Sequence, residues 1–278
     1  MEPICVEDPM STLYKIGDVA KLLGITSETI RRYENHGIVK PIKSKRTGYR
    51  YYQIWDIRAL TRARMYRKMG YSLIEAADLI NSKEVSDIIL ELSKKEGDLE
   101  KAVTWYYNVL KHIRWMKLAI SDADASIGKY RIEYRPAMYR IDMERVYELS
   151  YDQNKQELYR SWSNESPFVF NSAAFPQDLL VKGKFDVTYG LVINQEYAGL
   201  LNIKESNDIT LLPPCLCVYT TIQTNSEMVL TYQDFEPMLE YIQSQGMKLC
   251  DDAISRVILT KRKGSISYGW HQLWLPVE

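Results

Sequence analysis

Apolar residues recur at Ile16, Val19, Ala20 and Leu23, the i, i+3, i+4, i+7 spacing of one helix face, and Gly24 follows where a left-handed residue ends a helix. This predicts a short amphipathic helix. Thr26 and Ser27 open a second, with Glu28 near its positive end, running through Thr29, Ile30, Arg31, Arg32, Tyr33 and Glu34 towards Gly37. Pro41 to Tyr52 is basic and turn-forming. Within it Thr47-Gly48 lies between Lys43, Lys45, Arg46 and the run Tyr49-Arg50-Tyr51-Tyr52, which predicts a hairpin. A third helix covers about Gln53 to Met69 and stops at Gly70. Ser72-Leu73-Ile74-Glu75 is a capping box, and Leu73, Ala76, Ala77 and Ile80 form the inner face of the helix it starts.

From Val85 to Ile120 there is no proline, and one apolar series repeats every seven residues: Val85, Leu92, Leu99, Tyr106, Ile113, Ile120. A second series, offset by four, reads Ile89, Glu96, Val103, Leu110, Lys117. Such heptads over residues 85–120 predict a long helix that pairs with another along a narrow seam. Ser121 to Gly128 is small, acidic and unpatterned, and the domain linker is expected there. Beyond it the period changes to that of strands. Tyr130, Ile132 and Tyr134 alternate with Arg131, Glu133 and Arg135, and further strands are predicted at Met138 to Leu149, Phe168 to Phe175, Val187 to Ile193, Leu216 to Gln223, Ala253 to Thr260 and Tyr268 to Val277. Two helices interrupt them, one near Lys155 to Trp162 and one carrying Phe235, Met238, Leu239 and Ile242 between Asp234, as its cap, and Gly246. That order predicts an α+β domain over residues 129–278 made of two similar halves.

Charge separates the two ends. Leu13 to Gly70 holds fourteen Lys and Arg against four Asp and Glu, whereas the rest of the chain holds 22 against 32. One end is built for a polyanion. A helix start that can enter the major groove, flanked by a basic wing, fits duplex DNA, and arginine is the side chain whose fork best matches guanine. The candidates to meet DNA are Lys15, Ser27, Thr29, Arg31, Arg32, Tyr33, Arg46, Tyr49, Arg50 and Tyr51. No apolar run is long enough to span a bilayer. Residues 1–12, with Glu2, Glu7 and Asp8, are expected to be a loose tail and not a secretory signal. Cys5, Cys215, Cys217 and Cys250 form no disulfide framework, which fits a reducing, cytoplasmic setting; no metal or cofactor is expected, and Cys215 and Cys217 are read as small core residues.

The runs Tyr14-Lys15-Ile16-Gly17-Asp18-Val19-Ala20, Thr29-Ile30-Arg31-Arg32-Tyr33-Glu34, Gly37-Ile38-Val39-Lys40-Pro41, Gly48-Tyr49-Arg50-Tyr51-Tyr52 and Gly70-Tyr71-Ser72-Leu73 resemble the MerR family of bacterial regulators over about Leu13 to Ile80. Position 32 is Arg where many members carry a second Tyr. The resemblance implies a winged helix-turn-helix over residues 13–80, a homodimer joined by an antiparallel coiled coil, and a two-fold promoter site. It also implies that effector binding bends and untwists the DNA so that RNA polymerase can use the promoter, which makes the regulator an activator.

The C-terminal half resembles the GyrI-like effector domains of multidrug-sensing, BmrR-type members, which implies a small aromatic or lipophilic cationic effector held by ring faces. Tyr151, Phe168, Phe185, Tyr189, Tyr219, Tyr268, Trp270 and Trp274 are the candidate effector-binding residues. In the final strand Tyr268, Trp270, Gln272 and Trp274 share one face. Related sensors place an acid on the strand after the last long helix; here Ser255 stands there, so a cation would be held chiefly by ring faces or by an acid from elsewhere, such as Asp186, Glu196 or Glu133, or the effector is neutral. Two other readings stay open: an architectural DNA binder whose C-terminal domain engages proteins, and a GyrI-like hydrolase using Glu144, Glu148 or His271.

Overall fold

The computed structural model describes residues 12–44, 47–145, 153–228 and 230–278. The chain divides into two compact units, one ending at Lys101 and the other starting at Ala102.

The first unit is organised by its helix ends. β1 (Tyr14–Lys15) leads into α1 (Ile16–Leu23), which Gly24 closes in the left-handed region at φ 62°. Thr26 caps α2 (Ser27–Asn35), its hydroxyl accepting from Thr29 N at 3.1 Å. β2 (Ile42–Lys43) and β3 (Arg50–Tyr52) form the hairpin, and β1 pairs with β3 in the order β1-β3-β2. α3 (Ile54–Lys68) follows, and α4 (Leu73–Asn81) starts at the Ser72–Glu75 capping box read from the sequence. Val19, Ile30, Tyr52, Leu60 and Ala76 are buried at the centre of this unit's core. Arg64 on α3 donates to Leu23 O at 2.6 Å, which satisfies a carbonyl at the end of α1 and fixes the two helices together.

α5 (Val85–Ser126) contributes to both units. The expected linker at residues 121–128 is therefore corrected: it is helical as far as Ser126. Ser121 to Ser126 contains neither glycine nor proline, and neighbours hold it. The Ser126 hydroxyl and Arg131 Nη1 both donate to Asp122 Oδ2, while Trp270 Nε1 donates to Asp124 Oδ1 at 2.6 Å. The chain turns at Gly128, φ 68°.

The second unit continues with β4 (Arg131–Arg135), β5 (Met138–Arg145), α6 (Gln153–Ser163), β6 (Val169–Phe175), α7 (Gln177–Leu180), β7 (Thr188–Asn194), β8 (Thr210–Leu212), β9 (Cys215–Asn225), α8 (Glu236–Ser244), β10 (Ala253–Lys263) and β11 (Ile266–Pro276). Its strands form one antiparallel sheet in the order β4-β9-β11-β10-β6-β7-β5-β8. The two halves expected from the element order are visible in this topology. β5-α6-β6-β7 and β9-α8-β10-β11 are each a strand, a helix and a hairpin, arranged β6-β7-β5 and β10-β11-β9, and they meet where β6 pairs with β10. Asp234 does not cap α8. It accepts from Thr231 N and closes the preceding short turn, leaving Phe235 at the helix cap.

The sheet is covered differently on its two faces. α8 lays Phe235, Met238 and Ile242 on Phe175, Leu273 and Leu275, and Trp162 of α6 packs with Ile141 and Leu191. Trp115, Ala119 and Ala123 of α5 cover Ile258 and Trp270 on the opposite face. Gly190 on β7 lies beside the β5 bulge, and a Cβ there would sit 2.0 Å from Ile141 O. Gly190→Ala is expected to lower stability by about 3 kcal/mol or more, as severe overpacking does. Gly199→Ala, with no neighbour within 4 Å, should leave the urea midpoint near wild type.

Candidate nucleic-acid interface and ligand cavity

On α2, Ile30 and Tyr33 are buried in the core while Arg31 and Arg32 are exposed. Tyr33 is three residues from Ile30 and so shares its inward face, which corrects its placement among the DNA-facing residues. Ser27 and Thr29 are half-buried, with the Thr29 hydroxyl 2.8 Å from that of Thr26. Lys15 and Tyr49 are exposed and Tyr51 is half-buried. Arg46 lies outside the described residues.

Glu34 joins α2 to the wing, a role that its sequence distance from β3 conceals. Arg50 Nε donates to Glu34 Oε2 at 3.1 Å, and the Tyr52 hydroxyl donates to the other carboxylate oxygen. Burial, then Glu34, pushes the Tyr52 pKa well above the ordinary tyrosine value. Tyr52 is fully buried, so the carboxylate is anchored to the core and in turn orients Arg50.

In the second unit a cavity of about 250 Å³ is bordered by Phe175, Phe185, Tyr189, Met228, Ser255 and His271, among others. Of the eight ring candidates, the structure brings Phe185 and Tyr189 to it. Tyr151 lies outside the described residues, as do Glu148 and the side chain of Glu144. Phe168 is fully buried, stacked on Tyr197 at 4.3 Å and edge-on to Trp105 and His112. Tyr219 lies under Arg131, Trp274 packs beside it, and Trp270 and Tyr268 pack with α5. The ring face of β11 is thus covered by a helix and does not line the cavity. The physical reason is that the sheet is buried on both faces, so ring alternation alone does not say which face stays open.

The acids considered in place of Ser255 have other partners. Asp186 accepts from Val187 N, Glu196 pairs with Lys111, and Glu133 accepts from Arg131 and from Trp274 Nε1. Cys217 is buried, which raises its thiol pKa, and its Sγ is 3.5 Å from that of Cys215. Among the described residues no group of three or more His, Cys, Asp or Glu could hold a metal.

Residues 14–83 match the family described as MerR HTH family regulatory protein. Over 113 residues, 39% of this chain, the sequence is 32% identical to the HTH-type transcriptional regulator CueR of Escherichia coli O157:H7 and covers 81% of that protein. The chain belongs to the MerR HTH family. The CueR of Salmonella typhimurium is 31% identical over 113 residues, 79% of its length. A cryo-EM structure of an EcmrR-DNA complex in EcmrR-RPo aligns over 95% of this chain and 99% of that one, at 16% identity and a TM-score of 0.34.

In this MerR family member His271 forms part of the cavity wall. Its Nε2 lies 2.9 Å from Thr224 Oγ1, and burial lowers its pKa from 6.5 to about 4. The unfolded chain therefore binds a proton that the folded one refuses. Stability from the neutral ring is full above pH 6.5 and is lost as pH falls towards 4, up to about 3 kcal/mol. His112, whose pKa burial and Arg256 also lower, adds to the same trend. His271→Gln should make the urea midpoint fall less between pH 7.5 and 5 than it does in wild type; an equal fall would show that the ring does not set the slope.

Proposed function

We propose that this chain is a transcription activator that binds a two-fold promoter site as a homodimer and distorts the DNA for RNA polymerase when a small aromatic effector fills the cavity of its second unit. The carrying observation is the exposed pair Arg31 and Arg32 on a helix whose inward face is fixed by Ile30 and Tyr33 and whose wing is tied to it through Glu34. Base edges are read from such a helix, and Arg50, anchored through Nε, keeps the rest of its fork for a phosphate.

The α5 seam supports the dimer. Leu99, Val103, Tyr106, Leu110 and Ile113 are 45 to 70% exposed in the single chain, an apolar stripe that a second copy of the helix would cover. We read the second unit as a GyrI-like effector domain that senses a ligand in this cavity. Among the described residues no helix is long and apolar enough to cross a membrane, and a promoter target supports a cytoplasmic setting.

Arg31→Ala and Arg32→Ala should each weaken promoter binding by about 1 to 3 kcal/mol while changing random-sequence binding less. Equal losses on both DNAs would refute base reading by α2. Wild type should sediment as a dimer at micromolar concentration without DNA, and Leu99→Lys with Val103→Lys should give monomers, since the charges would be buried unpaired in the seam. A monomeric wild type would end the dimer reading.

A further inference from the structure

We infer that the cavity of the second unit takes an uncharged, largely apolar ligand of one or two rings that presents a hydrogen-bond acceptor to Ser255. The inference rests on reading that cavity as the effector site. Its size sets the first limit: 250 Å³ is the space of about eight waters at ~30 Å³ each, enough for a compact aromatic molecule. Phe175, Phe185, Met228 and Leu230 supply apolar wall.

The polar part of the wall is specific. Ser255 is fully buried, and its hydroxyl oxygen accepts from Ala173 N at 3.3 Å. Among the described residues no acceptor takes its proton. A buried donor without a partner is costly, and a ligand carbonyl, ether or phenol oxygen in the cavity would satisfy it.

The surroundings of Ser255 oppose a cation. Arg140, itself buried and paired through Nε with Asp142 Oδ1 at 2.6 Å, donates to Ser172 Oγ at 2.6 Å, and Ser172 Oγ donates to Ser255 O at 2.5 Å. The next residue, Arg256, is a second buried guanidinium. Asp252, the carboxylate closest in sequence, accepts from Gln177 N at 2.8 Å. A positive ligand would lose its hydration and find no carboxylate among the described residues that line the cavity. An anion gains no direct partner, because the cavity's ionisable ring, His271, is bonded to Thr224 and neutral at physiological pH.

Three probes of matched shape test this by calorimetry on the full-length protein: 4′-tert-butylacetophenone, 4-acetyl-N,N,N-trimethylanilinium and 4-tert-butylbenzoate. The ketone should bind about tenfold or more tighter than either ion, near 1.4 kcal/mol. Ser255→Ala should weaken the ketone about fivefold, as loss of a neutral hydrogen bond does. Ser255→Asp should move the preference to the anilinium. If Ser255→Asp does not fold, the ranking of the three probes on wild type still decides. A wild type that prefers the anilinium or the benzoate overturns the uncharged class while leaving the effector site standing. A ketone affinity unchanged in Ser255→Ala overturns the role of Ser255. Absence of binding by all three overturns the effector-site reading itself.

Discussion

A guanidinium removed from water is costly unless its N–H groups and its charge find partners, and four elements of the second unit supply them to one. Arg256 is 2% exposed. Its Nε and Nη2 donate to Gln272 Oε1 at 3.1 and 2.6 Å, and its Nη1 donates to Asn194 Oδ1 at 2.6 Å. Trp115, Phe170 and Trp274 place ring faces 4.7, 5.1 and 5.0 Å from the cationic carbon. Its hydrogen bonds go to neutral amides, so burial dominates and lowers the pKa to about 10, still high enough to keep the charge at neutral pH. The partners come from α5, β6, β7 and β11. Lifting the Trp115 turn of α5 off the sheet would therefore uncover a charge as well as apolar area, which makes this contact stiffer than ring packing alone.

β10 carries this constraint to the cavity. Successive residues of a strand point to opposite faces, so Arg256 grips α5 while Ser255 borders the cavity on the other side. Ser255 is paired on both flanks, with Ala173 on β6 and Leu273 on β11, and β6–β10 is where the two halves of the sheet join. The cavity thus lies against a strand that is paired on both flanks, which supplies a preformed wall and not a collapsible one.

The first unit was nearly complete in the sequence. Its helix ends, Gly24, the Thr26 cap and the Ser72 box, are local signals that depend on a few neighbouring residues. The strands of the second unit were also legible from period-two alternation, as was the pairing of two similar halves. β8 and α7 were not, being three and four residues long, too short to show a period. The candidate site was legible in part. Alternation along β11 groups Tyr268, Trp270 and Trp274 correctly on one face, but only tertiary packing decides that α5 covers it. Phe185 and Tyr189 reach the cavity, whereas Met228 and Leu230 come from a connection with no pattern to mark it. The helical run through Ser126 was missed for a related reason: Asp122, Asp124 and Ser126 look like linker residues until Arg131 and Trp270 arrive from distant strands to bind them.

The wing shows the opposite treatment of positive charge. The Arg50–Glu34 pair is half-buried, with the Arg50 side chain 35% and the Glu34 side chain 11% exposed. What makes it definite is the third member. Tyr52 is fully buried and donates to the same carboxylate, so the position of Glu34 follows from core packing and that of Arg50 follows from Glu34. The geometry between α2 and the β2–β3 hairpin is therefore set by the core of the first unit. A screened surface pair alone would leave the arginine in many rotamers, and each would have to be given up on binding. The short path from a buried ring through a carboxylate to a guanidinium restricts those rotamers in advance, while Arg31 and Arg32 stay exposed on α2.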